Sequence, residues 1–411
     1  MLWPMEVRNP RIYNTVTVQE IVVLSLVFLL FAMQPFGFGG PRIPMFTLVV
    51  GGIWYFIRND LLRTQVGILQ FAVICILFEI PSLNSYWNTY TIQKTTEIVL
   101  AVPAFFFAGA LIYSLFCNRR AEKIVVALIS ITSILWILYG LVQYFVDNKL
   151  RVTGPFLESM HMGAFLTVLL PVTLKWLSRY GWIPQLFYVC GLGFVLLSSG
   201  IRADWVTCLV AVFLYYIWTS RGRLLLLFGV APLLLITFWV AINTSPITIV
   251  KIRQITSISA TYDGLNNASS KRLDIWSACW NMGSDHPFTG IGAGAFNHAY
   301  NDFCIDGARI VEGKFPYHAH HPWFSILGET GWFGIAGLVG IIGFIILWTK
   351  QSPYGFNLYH YPWLLTLVLM LNPLNAMPIL FKIWWFPIFL LAIIAHLSHL
   401  ASDEFSFSSN E

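Results

Sequence analysis

Apolar runs long enough to cross a bilayer recur along almost the whole of this chain, and nothing else in it restricts the possible folds as strongly. Within lipid, every backbone N–H and C=O must be satisfied inside its own segment, so such runs fold as helices. With 57% hydrophobic and 10% charged residues, the chain also lies far from soluble proteins, in which about a quarter of residues are charged. The pattern predicts an all-α integral membrane protein with about 12 transmembrane helices. They fall at 19–34, 43–57, 65–80, 96–116, 122–146, 161–178, 182–198, 203–219, 223–242, 331–349, 359–375 and 378–400. Several are shorter than the usual ~20 residues, so their ends must extend into flanking polar sequence. Pro362, Pro373, Pro378 and Pro387 interrupt the last two. Residues 1–242 thus hold nine helices, 243–330 form one large polar loop, and 331–411 hold three helices and a tail.

Lysine and arginine set the orientation. Twelve of them fall in short segments on the side of the N-terminus, Arg119, Arg120 and Lys123 among them, against six on the other side. This predicts cytoplasmic termini and places 243–330 outside. The formal net charge of +5 therefore reflects topological anchors and needs no nucleic acid. Segment 19–34 lacks a small-residue cleavage site and reads as an uncleaved first span. Cys75, Cys117, Cys190 and Cys208 read as apolar fillers, while Cys279 and Cys304 share the outer loop, where an oxidising compartment would permit a disulfide. The matching broken helices of inverted-repeat transporters are not visible in the sequence. Glu20, Glu79, Glu97 and Asp204 all lie near span ends, and ion relays need carboxylates deep inside. Both points weigh against a coupled transporter.

The loop carries the polar chemistry. Residues 272–282 place Leu273, Trp276 and Trp280 near helical spacing, which predicts an amphipathic helix at headgroup depth, ended by Asp285-His286-Pro287. A glycine-rich turn, Gly290 to Gly294, follows. The loop ends on His318-Ala319-His320-His321-Pro322, and clustered imidazoles at a membrane boundary are the usual means of moving protons near neutral pH. His320 is either a general base for an acceptor hydroxyl or the cap of a helix starting near Pro322. A metal site of His318 and His320 with His298 or Asp302 is the competing chemistry.

Arg202 at the outer start of a span, and Lys271 with Arg272 ahead of the aromatic helix, could grip phosphate oxygens in forked geometry or serve as anchors. Glu329, Gly331 and Gly334 close the histidine cluster. Their spacing suits the close approach of a neighbouring helix, with Glu329 pairing an arginine or complementing a helix dipole. Glu158 and His161 are weaker candidates for the same outer cavity.

These residues resemble the O-antigen ligase/O-antigen polymerase family of bacterial membrane glycosyltransferases. The family motif H-[NSQ]-x-x-L-x-x-x-x-E-x-G-x-x-G aligns on His320, His321, Phe324, Glu329, Gly331 and Gly334. His321 stands where the family has an amide or serine, and Phe324 where it has leucine, so the resemblance assigns the catalytic position to His320 or His321. Arg202 and Arg272 correspond to the family's two arginines, with Trp276 and the turn from Pro287 to Gly294 in register. The resemblance implies a GT-C-like fold in the bacterial inner membrane, with its active site on the periplasmic face. It implies metal-independent transfer, with no cofactor, from an undecaprenyl-diphosphate-linked glycan. The acceptor is a hydroxyl of lipid A core oligosaccharide, of a second lipid-linked glycan (a polymerase) or of a protein. A flippase of lipid-linked sugars is the non-enzymatic alternative.

Overall fold

The computed structural model describes residues 18–32, 118–218, 229–256, 261–305, 318–350, 354–373 and 385–408, apart from isolated positions within these ranges and with a few single residues between them. The spans expected at 65–80, most of 43–57 and most of 96–116 lie outside the described residues. Among the described residues every regular element is helical.

The first elements are α1 (Val18–Ala32), α2 (Arg119–Phe145), α3 (Ser159–Leu177), α4 (Trp182–Ser199) and α5 (Arg202–Tyr216). Asn118 starts α2: its side-chain oxygen accepts from the backbone N–H groups of Arg120 at 3.0 Å and Ala121 at 3.4 Å, two of the donors a helix start leaves unpaired. One face of α2 buries Val125, Ile129, Trp136 and Ile137, while Ile131, Leu135, Leu138 and Val142 are exposed on the rest of it. A helix apolar all round belongs in lipid. Around α3 the packing is aromatic. Phe165 stacks on Phe156 at 5.2 Å between centroids and meets Trp136 edge-on at 6.1 Å.

Four described helices are long and apolar enough to cross a membrane: α2, α3 (with the short turn that extends it to Tyr180), α4, and α11 below. α6 (Ala231–Thr244) and α7 (Pro246–Thr256) form a fifth if taken together, bent by 102°. The protein is thus a multi-pass membrane protein, although helices of this kind account for four or five of the twelve expected spans. The polar segment continues as α8 (Tyr262–Ala268), α9 (Arg272–Asp285) and α10 (Phe296–Phe303). The last elements are α11 (Pro322–Lys350), α12 (Pro362–Leu371) and α13 (Phe386–Ser408). Thr366 on α12 donates to Val168 O at 2.8 Å, tying α12 to α3.

The helix expected to start near Pro322 and the span expected from 331 are one element, which runs from Pro322 to Lys350 through a kink at Gly331 (φ 66°, ψ −160°). Apolar content marks where lipid begins, but a helix needs only backbone partners and a start signal, and Pro322 supplies the latter. The helix thereby carries the end of the histidine cluster directly on its first turn.

Candidate active site

α9 lies against the first half of α11, and glycines make the contact close. A Cβ on Gly283 would stand 2.7 Å from Leu327 Cγ, and one on Gly328 would stand 3.3 Å from Cys279 Cα. Cys279 is buried there, and the disulfide that the sequence permits between Cys279 and Cys304 is not formed.

The glycine-rich turn docks on the kink. Ile291 and Gly292 donate to Gly328 O at 3.0 Å and Glu329 O at 2.9 Å, and the Gly294 N–H donates to the Glu329 carboxylate. Trp332, released from the helical ladder by the kink, donates to Pro287 O at 2.7 Å. Glu329 therefore braces the turn, a use that neither the arginine-pairing nor the dipole reading foresaw. The glycine spacing is also re-read: Gly331 admits the Pro287–Gly290 turn rather than a helix, and Gly334 clears space for Thr330 and Ile326 of its own helix. Gly331 has no alternative residue, since its φ is left-handed and a Cβ would stand 2.6 Å from Pro287 O. Gly331→Ala should therefore cost about 2 kcal/mol or more and lower the unfolding midpoint in detergent by several degrees. A wild-type midpoint would show that the turn is not held this way.

The two adjacent histidines are separated by their surroundings. His321 caps α11: its Nδ1 accepts the Phe324 N–H at 3.3 Å, and its carbonyl accepts from Ser325 at 3.0 Å. Its ring meets Trp276 and Phe324 edge-on, at 5.2 and 4.8 Å. Trp276 stacks on Phe324 and donates its indole N–H to Ala319 O at 3.0 Å, so it fixes the histidine loop instead of facing headgroups, while Trp280 is the exposed aromatic. His320 is held in the left-handed region (φ 52°), a conformation that few residues other than glycine adopt and that asparagine, aspartate and histidine enter more readily than the rest. Its Nδ1 is buried without a hydrogen-bond partner among the described residues. His318 is buried with its ring centroid 4.3 Å from that of His320. The capping role considered for His320 thus falls to His321.

Arg272, on the first turn of α9, is near enough for its charge to act on two of these rings. Burial first, and then the Arg272 charge, lower both His320 and His321 to about 4, so both imidazoles are neutral at pH 7. Arg272 itself is lowered by burial, with Asp204 opposing that shift and Arg202 adding to it. Asp204 is buried at the start of α5, seated against Gly163 of α3, where any Cβ would overlap its Oδ2. Arg202 donates from Nη2 to Ser270 Oγ at 2.8 Å. Ser270 and Lys271 are both left-handed (φ 61° and 63°), and the Lys271 N–H donates to Asn266 O at 2.7 Å. Lys271 is thereby an exposed turn residue with Arg202 and Arg272 to either side of it. Strain of this kind persists only where the surroundings over-determine it, and it clusters at functional sites.

The structure therefore brings His320, His321, Arg272 and Arg202 together and adds Asp204, which the sequence reading noted only as a span-end carboxylate. Glu158 and His161 pair with each other at 3.9 Å on the first turn of α3. Among the described residues, no three His, Cys, Asp or Glu side chains assemble into a group that could hold a metal, so the set of His318, His320 and His298 or Asp302 is not gathered. Residues 186–339, which span all of these groups except Glu158 and His161, match the family model described as O-antigen ligase. No curated protein matches the chain.

Proposed function

We propose that the chain is a membrane glycosyltransferase of the O-antigen ligase type, which residues 186–339 resemble, and that it moves a glycan from undecaprenyl diphosphate to a hydroxyl of lipid A core oligosaccharide on the periplasmic face. One observation carries the reading: the Arg272 charge acts on a buried, left-handed His320, and Arg202 bonds Ser270, two residues before Arg272. That arrangement sets an anion grip next to a base.

In the proposed reaction the acceptor oxygen attacks the anomeric carbon of the donor sugar. The bond from that carbon to the phosphate oxygen breaks, and its electron pair leaves with the diphosphate. The hydroxyl proton passes to the His320 imidazole. Arg202 and Arg272 hold the diphosphate and stabilise the charge that grows on it, the role a metal plays in other transferases, so the reaction is metal-independent. His321 has its Nδ1 committed to the helix cap, which leaves His320 as the base.

The charge arrangement also predicts how the rate depends on pH. In the free enzyme burial, and after it the Arg272 charge, depress His320, whereas a bound diphosphate neutralises Arg272 and raises the basicity of the imidazole as the substrate arrives. The acid limb of kcat/KM should therefore lie near about 4, and that of kcat should lie higher. Coincident limbs near 6.5, the ordinary value for histidine, would show that His320 is neither buried nor under the influence of Arg272.

The test of function is purified protein given undecaprenyl-diphosphate-linked glycan and three acceptors: lipid A core, a second lipid-linked glycan and a protein. Glycan attached to lipid A core supports the proposal. Glycan attached only to one of the others makes the protein a polymerase or a protein glycosyltransferase, and unreacted, translocated donor makes it a flippase.

A further inference from the structure

The turn that joins α4 to α5 is ringed by cations from three segments of the chain. Arg151 donates from Nε to Ser199 O at 2.8 Å. A Cβ on Gly200 would stand 3.9 Å from Lys251 Cγ, which places the Lys251 stem across the turn. Arg202 follows, tied to Ser270 next to Arg272. Among the described residues, none of these four cations has a carboxylate within 4.0 Å. Like charges this close repel one another unless an anion joins them.

Geometry links these cations in order. Arg272 follows the Ser270–Lys271 turn that Arg202 holds, and the Gly200 turn just before Arg202 is crossed by the Lys251 stem and held by Arg151. On the other side, the Arg272 charge acts, after burial, on His320 and His321. The cations thus follow one another in a row from Arg272, on the histidine side, through Arg202 to Lys251 and Arg151. Lys251 lies on α7, which turns sharply away from the apolar helix α6, whose Leu235, Ile236 and Trp239 are exposed. One end of the row is on the side of the base and the other adjoins a surface suited to a hydrocarbon tail.

We propose that Lys251 and Arg151 form a second anion subsite, which holds the lipid-proximal phosphate of the donor while Arg272 and Arg202 hold the sugar-proximal one. The inference rests on the proposed function and adds to it a direction for the donor: glycan towards His320, polyprenyl tail towards α6 and α7. It also explains why two arginines are accompanied by two further cations. A donor diphosphate carries charge on both phosphates, and once the sugar departs a third negative charge appears.

The direction can be tested without turnover, using undecaprenyl phosphate and undecaprenyl diphosphate as ligands for the whole protein in phosphatidylcholine nanodiscs. The monophosphate has only the lipid-proximal group. Lys251→Gln should therefore weaken both ligands by about 10-fold, as loss of a charge-assisted contact does, while Arg272→Gln should weaken the diphosphate alone. Lys251→Arg should restore both. Lys251 lies outside the packed core, so its variants keep the fold. Binding of both ligands unchanged in Lys251→Gln, with wild type binding well, overturns the subsite and leaves the proposed function standing. An effect of Lys251→Gln that appears only with phosphatidylglycerol present assigns the cations to lipid headgroups and also overturns it. Wild-type protein that binds neither ligand removes the proposed function together with the subsite.

Discussion

Replacing His320 with alanine should lower transfer by ~100- to 10,000-fold, the usual cost of losing a general base, while expression and membrane insertion stay at wild-type levels. The imidazole lies ahead of α11 and outside its hydrogen-bond ladder, so its removal leaves the helix intact. One secondary effect must be separated from the chemistry. Position 320 is left-handed, which alanine adopts at a cost and asparagine more readily. His320→Asn should therefore be as inactive as His320→Ala and more stable. His321→Ala provides the contrast. It removes the cap of α11 and an aromatic neighbour of Trp276, each worth about 1 kcal/mol, and should lower the unfolding midpoint more than the turnover. A dead, fully folded His321→Ala beside an active His320→Ala would exchange the two roles. Wild-type rates in both would remove the base from this loop.

Arg272→Lys should reduce turnover at saturating donor by about 30- to 1000-fold, equivalent to about 2–4 kcal/mol of transition-state stabilisation. Lysine preserves the charge but cannot make two parallel hydrogen bonds to a phosphate. Arg202→Lys should behave similarly and also lose the Ser270 contact. The defect should appear in kcat, because the charge on the diphosphate grows only as the glycosidic bond breaks. A change confined to KM would mean that the arginines bind donor and transition state equally. Near-normal kinetics in both variants would return them to topological anchoring. Arg272 should be the more sensitive of the two, since it is the arginine whose charge reaches both imidazoles.

The helical membrane architecture was legible in the sequence because partition between lipid and water is a property of each segment by itself. α1 through α5 begin and end within a few residues of the apolar runs that predict them. The aromatic helix at 272–282 was legible for the same local reason, through its periodicity, and the histidine cluster and the two arginines stood out as ionisable groups in and beside one outer loop. The kink at Gly331 was not legible, because a helix start near Pro322 and an apolar run from 331 read the same whether or not the backbone breaks between them.

Other features depended on segments meeting across the fold. The sequence offers two adjacent histidines with no local means of ranking them, and the docking of Trp276 and the cap at Phe324 separate their roles. Gly331 and Gly334 share a motif spacing, yet one receives a turn from residues 287–290 and the other its own preceding turn. Nothing in the local sequence singles out Arg151 or Lys251, and it is packing that sets both against the Ser199–Arg202 turn. The sequence by itself determined which segments lie in lipid and which residue types stand at its edge, because hydropathy and helical periodicity act over one turn or one span. Only the tertiary structure decided which imidazole stays uncommitted, where the chain kinks and how the cations line up. Those outcomes come from contacts between residues tens of positions apart, whose energies no local pattern records.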